Sequence, residues 1–507
     1  MWTVSRNRIA GLRTLPAGLL VAGVLAVLAA VLYGSLLGGY FLSDDFVILS
    51  WTRVSAPGEV LGLFDPRAPW FYRPMLKMVY WALQSIFGLN PLPFHLFNIV
   101  MHTLAAWLLY FYAKRVAAAR PATALAVSLL FFVNHRHAEP VASISAMGEL
   151  IAVPALFGSL LLAHRFVESR RPPALAASLG LFAVALLSRE SAVLLPVLAA
   201  LSLALFAPKP LGRRALAALG TGYAALLAAY ALLQLQVVNR GGEAGGVLSR
   251  GGLSFKPLNA ESVVLGVMDY ANGLLPGGGA AASLALDQLR PVAWAELGLL
   301  LALGGVLALT HLKLMLLGLA WMLVSPLPFV FFNAPTDRYF YMPTIGYSLL
   351  LAGLLAEVAS GLARLLRRPP SVVVPSALAG AVLVLLLPQV PALSAKEAHW
   401  NAAGALSGRV LSSMKAALPN PVRHQAFLFV GLPTDFEGVP TFRNGIVQAV
   451  QLEYGNDLTL RAGITTCAEV RRTRPSPPDS VFQFTGSDVR LLADPQSCGL
   501  LDKPGGT

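Results

Sequence analysis

Two adjacent acids, Asp44 and Asp45, follow the first long apolar run of the chain. Neighbouring carboxylates repel, which raises the proton affinity of one and suits it to act as a general base. Adjacent side chains point in different directions on helix or strand, so one acid faces a substrate and the other orients a neighbour. Spacing does not say which. A third acid, Glu139, lies in the polar turn Asn134-His135-Arg136-His137-Ala138-Glu139-Pro140. Arginines occupy comparable turns: Arg73 in Phe71-Tyr72-Arg73-Pro74, Arg189 in Ser188-Arg189-Glu190-Ser191, and Arg338 beside Tyr339 and Tyr341 in Asp337–Pro343. A guanidinium matches phosphate geometry and keeps its charge, and one such hydrogen bond contributes roughly 1.5–3 kcal/mol. Taken singly, each group also fits solvated interfacial acids and arginines snorkelling to a membrane surface. Acids that deprotonate a hydroxyl, with arginines that hold a departing phosphate, are what glycosyl transfer from a lipid phosphate requires.

Three further polar residues, His95, Asn98 and His102, are spaced three and four apart and share one face of a helix. Such residues inside an apolar helix face the interior of a bundle, either in a site or in helix-to-helix hydrogen bonds; both readings stay open. His135, His137 and Glu139 carry ligand chemistry, but nothing completes a metal set at a recognisable spacing. No metal and no other cofactor is expected.

The elements that must position these groups are apolar helices. Of the 507 residues, 56% are hydrophobic and 12% charged; soluble domains carry about 25% charged residues. That composition excludes a soluble globular protein and an intrinsically disordered one. Eleven runs approach the ~20 residues that cross a bilayer as helix: roughly 15–36, 94–113, 121–134, 142–165, 173–187, 191–207, 215–236, 292–312, 314–332, 342–363 and 371–390.

With the N-terminus in the cytoplasm, alternate loops carry clusters of Lys and Arg, such as Lys114, Arg115 and Arg120, or Arg364, Arg367 and Arg368. The positive-inside rule expects this pattern. The net charge of +13 is therefore topogenic, and no nucleic-acid partner is expected, since no basic stripe or reading motif accompanies it. Acids and arginines of the candidate site then share the outer face, whereas independent snorkelling would scatter them over both.

Three outer segments are large: 37–93; 237–291, with an amphipathic helix expected over Glu261–Leu275; and 391–507. The last reads as a small α/β domain, with strands at Ala426–Val430, Leu458–Ile464 and Val481–Phe484 and a helix at Phe442–Tyr454. The chain's two cysteines, Cys467 and Cys498, both fall there, and an exported compartment favours a disulfide between them over two free thiols.

Together the motifs resemble the GT-C superfamily of polyprenyl-phosphate-sugar-dependent glycosyltransferases. The likeness is to the membrane half of the protein O-mannosyltransferases that carry tetratricopeptide repeats, and to their bacterial relatives. It rests on six stretches in order over roughly residues 37–347: Ser43–Leu49, Tyr72–Met75, Phe87-Gly88-Leu89-Asn90-Pro91 on to His95, Asn98 and His102, His135–Val141, Ser188-Arg189-Glu190, and Arg338–Gly346. The resemblance implies a GT-C fold with the acidic motif of the first outer loop at the active site; with the spans and the C-terminal segment read above, the expected architecture is an all-α polytopic membrane protein of about eleven transmembrane helices that also carries a small C-terminal α/β domain. The resemblance also implies a catalytic base at Asp44 or Asp45, a further acid at Glu139, a basic residue at Arg189, and an Arg-Tyr-x-Tyr-x-Pro motif at Arg338, Tyr339, Tyr341 and Pro343. From the chemistry of guanidinium, Arg338 and Arg189, with Arg73 as an outside candidate, are expected to hold the departing phosphate. Two features depart from the family: Arg136 stands where relatives tend to have Pro, and no tetratricopeptide repeats follow.

The expectation is an inverting glycosyltransferase of a bacterial inner membrane, with a catalytic part over 1–390 and a periplasmic domain over 391–507. Its donor is a polyprenyl-phosphate sugar and its acceptor a hydroxyl on a glycan, lipid or protein. Rival readings are a lipid-linked glycan transporter or flippase, an O-antigen ligase or polymerase, and a non-catalytic scaffold. A transporter would place charges near mid-membrane in a repeated architecture. A ligase would place its key arginines in a large late loop.

Overall fold

The structure is a computed structural model, and it describes residues 4–54, 57–66, 72–116, 119–207, 212–240, 266, 270, 274, 313–330, 336–455 and 458–499. Ten helices make the first part of the chain: α1 (Val4–Tyr33), α2 (Asp44–Trp51), α3 (Pro74–Phe87), α4 (Leu92–Phe111), α5 (Pro121–Phe132), α6 (Ala138–Ala142), α7 (Met147–Ser169), α8 (Pro172–Leu186), α9 (Leu195–Phe206) and α10 (Arg213–Arg240). After an apolar helix at Lys313–Phe329 come α11 (Pro343–Leu365), α12 (Pro370–Leu386) and α13 (Gln389–Ala417). Among the described residues, six helices are long and apolar enough to cross a membrane, and four shorter apolar helices accompany them. They coincide with ten of the eleven expected spans; the run at 292–312 lies outside the described residues. The chain is a multi-pass membrane protein, because only closed hydrogen-bonded structure survives in hydrocarbon.

Local sequence explains where these helices begin. Pro74, Pro121, Pro172, Pro343 and Pro370 each open one, at the position where a missing N–H costs nothing. The interior of the bundle is a continuous apolar core from α1, α4, α5, α7, α8 and α11, with Leu109, Phe132, Phe157, Leu160 and Ile345 fully buried. Gly346 of α11 faces Gly318 and Met322 so closely that any Cβ would meet their backbone. Small residues permit this kind of approach between apolar helices.

The C-terminal part holds a four-stranded sheet ordered β4-β1-β5-β6, from β1 (Ala426–Val430), β4 (Arg461–Thr465), β5 (Ser480–Phe484) and β6 (Val489–Leu491). Strand β1 runs parallel to β4 and β5, while β5 and β6 are antiparallel. A short antiparallel pair, β2 (Asp435–Phe436) and β3 (Val439–Pro440), leads into the loop before α14 (Ile446–Tyr454), and α15 (Cys467–Thr473) follows β4. Cys467 and Cys498 are joined by a disulfide, with Cα atoms 5.5 Å apart.

The expected division at 390/391 falls just inside α13. That helix starts at the bundle, where Leu393 is buried in its core, and ends against the sheet, where Leu406, Val410 and Met414 are buried. A second apolar core forms at this junction. Phe41 and Phe46 of the acidic motif, Tyr80 of α3 and Phe94 of α4 share it with Phe427, Phe429, Phe442 and Phe482. The C-terminal domain is thus packed directly on the segment that carries Asp44 and Asp45. Of the helix expected over Glu261–Leu275, only Gly266, Tyr270 and Leu274 are described, and these are helical; the rest lies outside the described residues.

Candidate active site

Asp44 and Asp45 open α2, where an acidic first turn complements the helix dipole. Their environments differ. Asp45 is 2% exposed, and each of its oxygens is taken by a backbone N–H: Leu42 donates to Oδ2 at 2.9 Å and Ser145 to Oδ1 at 2.7 Å. Burial pushes the Asp45 carboxyl up to about 7, against the pull of those two N–H groups; Asp44 adds to the rise and Arg338 opposes it. Asp45 is thereby the residue that ties the acidic motif to the turn before α7. Asp44 is only partly buried and, among the described residues, accepts one hydrogen bond, from Asn444 Nδ2 at 2.8 Å.

Glu139 sits at the start of α6 and meets Arg338, which donates from Nε to Oε1 at 2.6 Å and from its backbone N–H to Oε2 at 3.3 Å. Burial works against the Arg338 charge, but Glu139, then Tyr339 and Asp44, outweigh it and hold the guanidinium more firmly protonated than free arginine. No hydrogen bond is made by Arg338 Nη1 or Nη2 among the described residues. Next to this pair, Arg136 is salt-bridged to Asp337 at 2.8 Å, and Lys396 of α13 grips the other oxygen of Asp337. This fixes the 337–340 turn against both the His135–His137 turn and α13.

Arg73, just before α3, makes a two-pronged contact with Glu190, at 2.8 Å from both Nε and Nη2. Arg189 is paired with Glu149 of α7 at 3.0 Å, both side chains about 5% exposed, and its guanidinium lies over the rings of Phe329 and Tyr339 at 5.5 and 5.9 Å. The approach depends on Gly148, where an added Cβ would stand 2.6 Å from the carbonyl of Ser188. Arg73, Glu149, Arg189, Glu190 and Tyr339 act electrostatically on one another, and Arg338 acts on Tyr339, Glu139 and Asp44. The acids and arginines singled out from the sequence therefore gather at one end of the helices.

Other candidates take different places. His102 is fully buried, hydrogen-bonded from Nδ1 to Tyr341 Oη at 2.8 Å and packed on Phe132, so both belong to the helix core. His137 bonds Thr344 Oγ1 at 2.8 Å and His135 bonds Gln389 Oε1 at 2.7 Å, while Glu139 turns to Arg338. The three do not converge, and among the described residues no cluster of His, Cys, Asp and Glu could hold a metal. His95 is buried beside Gly39, and neither ring nitrogen is hydrogen-bonded among the described residues. Asn98 donates to the carbonyls of Val141 and Ser143 at 3.2 and 3.1 Å. It braces the turn whose Ser145 N–H holds Asp45, two steps from the acid.

Each of the three arginines expected to bind phosphate has a carboxylate partner. Sequence reasoning missed Glu149 and Asn444. Glu149 carried a signal, since a lone acid in an apolar run faces a bundle interior and a partner. Asn444 carried none: it lies in a polar loop 400 residues from Asp44.

Residues 68–234 match the sequence model of the family described as dolichyl-phosphate-mannose-protein mannosyltransferase. The protein O-mannosyl-transferase TMTC1 of Homo sapiens is 29% identical over 162 residues, covering 30% of this chain and 18% of that protein. Tmtc1 of Drosophila melanogaster is 27% identical over 184 residues, covering 33% and 21%. The chain thus spans about a fifth of the length of these curated relatives. A crystal structure of ArnT from Cupriavidus metallidurans bound to undecaprenyl phosphate aligns over 91% of this chain and 92% of that one, at 14% identity and a TM-score of 0.47. The family match contains Arg73, Glu139, Glu149, Arg189 and Glu190, and the fold brings Asp44, Asp45 and Arg338 to them from outside it. Over residues 68–234 the chain is similar to the dolichyl-phosphate-mannose-protein mannosyltransferases, and the likeness to the GT-C glycosyltransferases read from its motifs stands.

Proposed function

We propose that the protein transfers a sugar from a polyprenyl-phosphate donor to a hydroxyl of an acceptor at the outer face of a bacterial inner membrane. The observation that carries this reading is the placement of Arg338 within electrostatic reach of Asp44, with both Nη groups unbonded among the described residues. An anion placed there would sit on a fixed cation, within electrostatic reach of an acid whose second oxygen accepts no hydrogen bond among the described residues.

Asp44 is the base in this reading. Asp45 has both oxygens committed to backbone N–H groups, so it holds the motif in place. Asp44 takes the proton of the acceptor hydroxyl. The acceptor oxygen forms its bond to the anomeric carbon as the bond from that carbon to the phosphate oxygen breaks, with inversion. The electron pair leaves with the lipid phosphate. Arg338 stabilises the charge that grows on it, and Arg73 and Arg189 add positive potential beside it. Glu139, Glu190 and Glu149 hold the three guanidiniums in place, which limits reorganisation during the reaction. The basic loops fall at the other end of the helices, where Arg115 meets Glu168 at 2.8 Å and Arg170 reaches the carbonyl of Gly212. This supports a cytoplasmic N-terminus and a periplasmic C-terminal domain.

The test is transfer by the purified full chain, offered a panel of labelled undecaprenyl-phosphate sugars and a membrane extract as acceptor source. Wild type is compared with Asp44→Asn and Asp45→Asn. Turnover of one donor, reduced at least 1,000-fold by Asp44→Asn and less by Asp45→Asn, is the expected result. Folded wild type that turns over no donor, or full activity in Asp44→Asn, would overturn the reading.

A further inference from the structure

The segment just before the candidate base is strained. Ser43 has φ 41° and ψ −108°, a backbone conformation that a residue with a Cβ rarely adopts. Such strain persists only where surrounding structure over-determines it. Here the surrounding structure is the C-terminal domain. Ser43 N–H donates to the carbonyl of Thr441 at 2.8 Å, and Asn444 N–H donates to Ser43 Oγ at 3.1 Å. Phe442 stacks on Phe46, ring centroids 6.4 Å apart and 5° from parallel. Gly445 has φ 81°, and an added Cβ would collide with the carbonyl of Ser43. Glycine therefore meets two demands there at once: a left-handed turn and direct contact with the strained residue. Through that turn the Asn444 side chain reaches Asp44 Oδ1 at 2.8 Å.

We infer that the 441–445 loop of the C-terminal domain is part of the catalytic machinery: it holds Ser43 in its strained conformation and Asn444 orients the Asp44 carboxylate toward the acceptor. This rests on the function proposed above. One carboxylate oxygen is occupied by the amide donor, which leaves the other to face the acceptor hydroxyl. Asn444 is a positioning residue here, acting through Asp44, and the C-terminal domain is needed for turnover itself.

The experiment uses the full chain and the undecaprenyl-phosphate sugar that wild type turns over. Asn444→Ala is expected to lower kcat 10- to 100-fold while changing the affinity for undecaprenyl phosphate less than twofold. Asn444→Asp keeps the shape of the side chain and places a second carboxyl against Asp44. Two acids at that distance share a proton to higher pH. The ratio of its turnover to that of wild type should therefore rise at least tenfold with pH. A loop that merely supported the fold would give the same fractional loss at every pH. Turnover abolished by Asp44→Asn but unchanged by both Asn444 variants would overturn this inference and leave the proposed function standing. If folded wild type turns over no donor, both fall.

Discussion

Arg338 and Glu139 stand 199 residues apart in sequence and 2.6 Å apart in the fold, joined at the guanidinium Nε and again through the Arg338 backbone N–H at 3.3 Å. The pair fixes where the remaining edge of the guanidinium points. Replacing Glu139 by Gln removes the countercharge and one acceptor, but leaves Arg338 charged. Turnover should fall at least tenfold, while affinity for undecaprenyl phosphate stays level or rises, because the anion no longer competes with a carboxylate. A parallel loss of affinity in a binding titration would show that Glu139 does more than orient Arg338.

The contact between Arg189 and Glu149 should be sensitive to Gly148. Gly148→Ala pushes a Cβ against the backbone carbonyl of Ser188, which has no flexible side chain to yield. Overpacking of this kind costs about 1–3 kcal/mol. It also draws apart a buried ion pair. A lower melting temperature in detergent and a loss of activity are expected; an unchanged melting curve would mean that the two backbones separate freely.

Asp45 should give stability a pH dependence of defined sign. Its carboxyl is raised by burial from an ordinary 3.8 to about 7 in the folded chain. Between those values the folded protein keeps a proton that the unfolded chain has released. This contribution is complete below pH ~4 and is lost as pH climbs through ~7. Wild type should thus lose melting temperature over that window relative to Asp45→Asn, which has no proton to lose. Parallel curves for the two proteins would contradict the assignment.

Lys77 of α3 is 5% exposed, and its ammonium makes no hydrogen bond or ion pair among the described residues. Burial lowers its pKa, and Asp65 opposes that only in part. A buried, unpaired ammonium is costly. Lys77→Met keeps the length of the side chain and removes the charge, so a higher melting temperature is expected, equivalent to at least about 1 kcal/mol. A lower one would mean that the ammonium has a favourable partner in the intact membrane protein.

The sequence by itself determined what local periodicity and composition can carry. Long apolar runs marked the helices, because in hydrocarbon a backbone has to satisfy itself within one segment. Short apolar runs marked β1 at Ala426–Val430 and β5 to within a residue of its start. The helix expected over Phe442–Tyr454 begins only at Ile446, because residues 441–445 are spent on the contact with Ser43. Motif order marked Asp44, Asp45, Arg73, Glu139, Arg189 and Arg338, which are charges at the ends of apolar runs and therefore conspicuous. What only the tertiary structure decided is how those charges are shared out. Arg73 with Glu190, Arg189 with Glu149, Arg338 with Glu139 and Asn444 with Asp44 are distances across tens to hundreds of residues. No local spacing encodes them. The two adjacent acids separate for the same reason: they are equivalent in sequence, and become different when Leu42 and Ser145 present backbone N–H groups to one and the C-terminal domain presents an amide to the other.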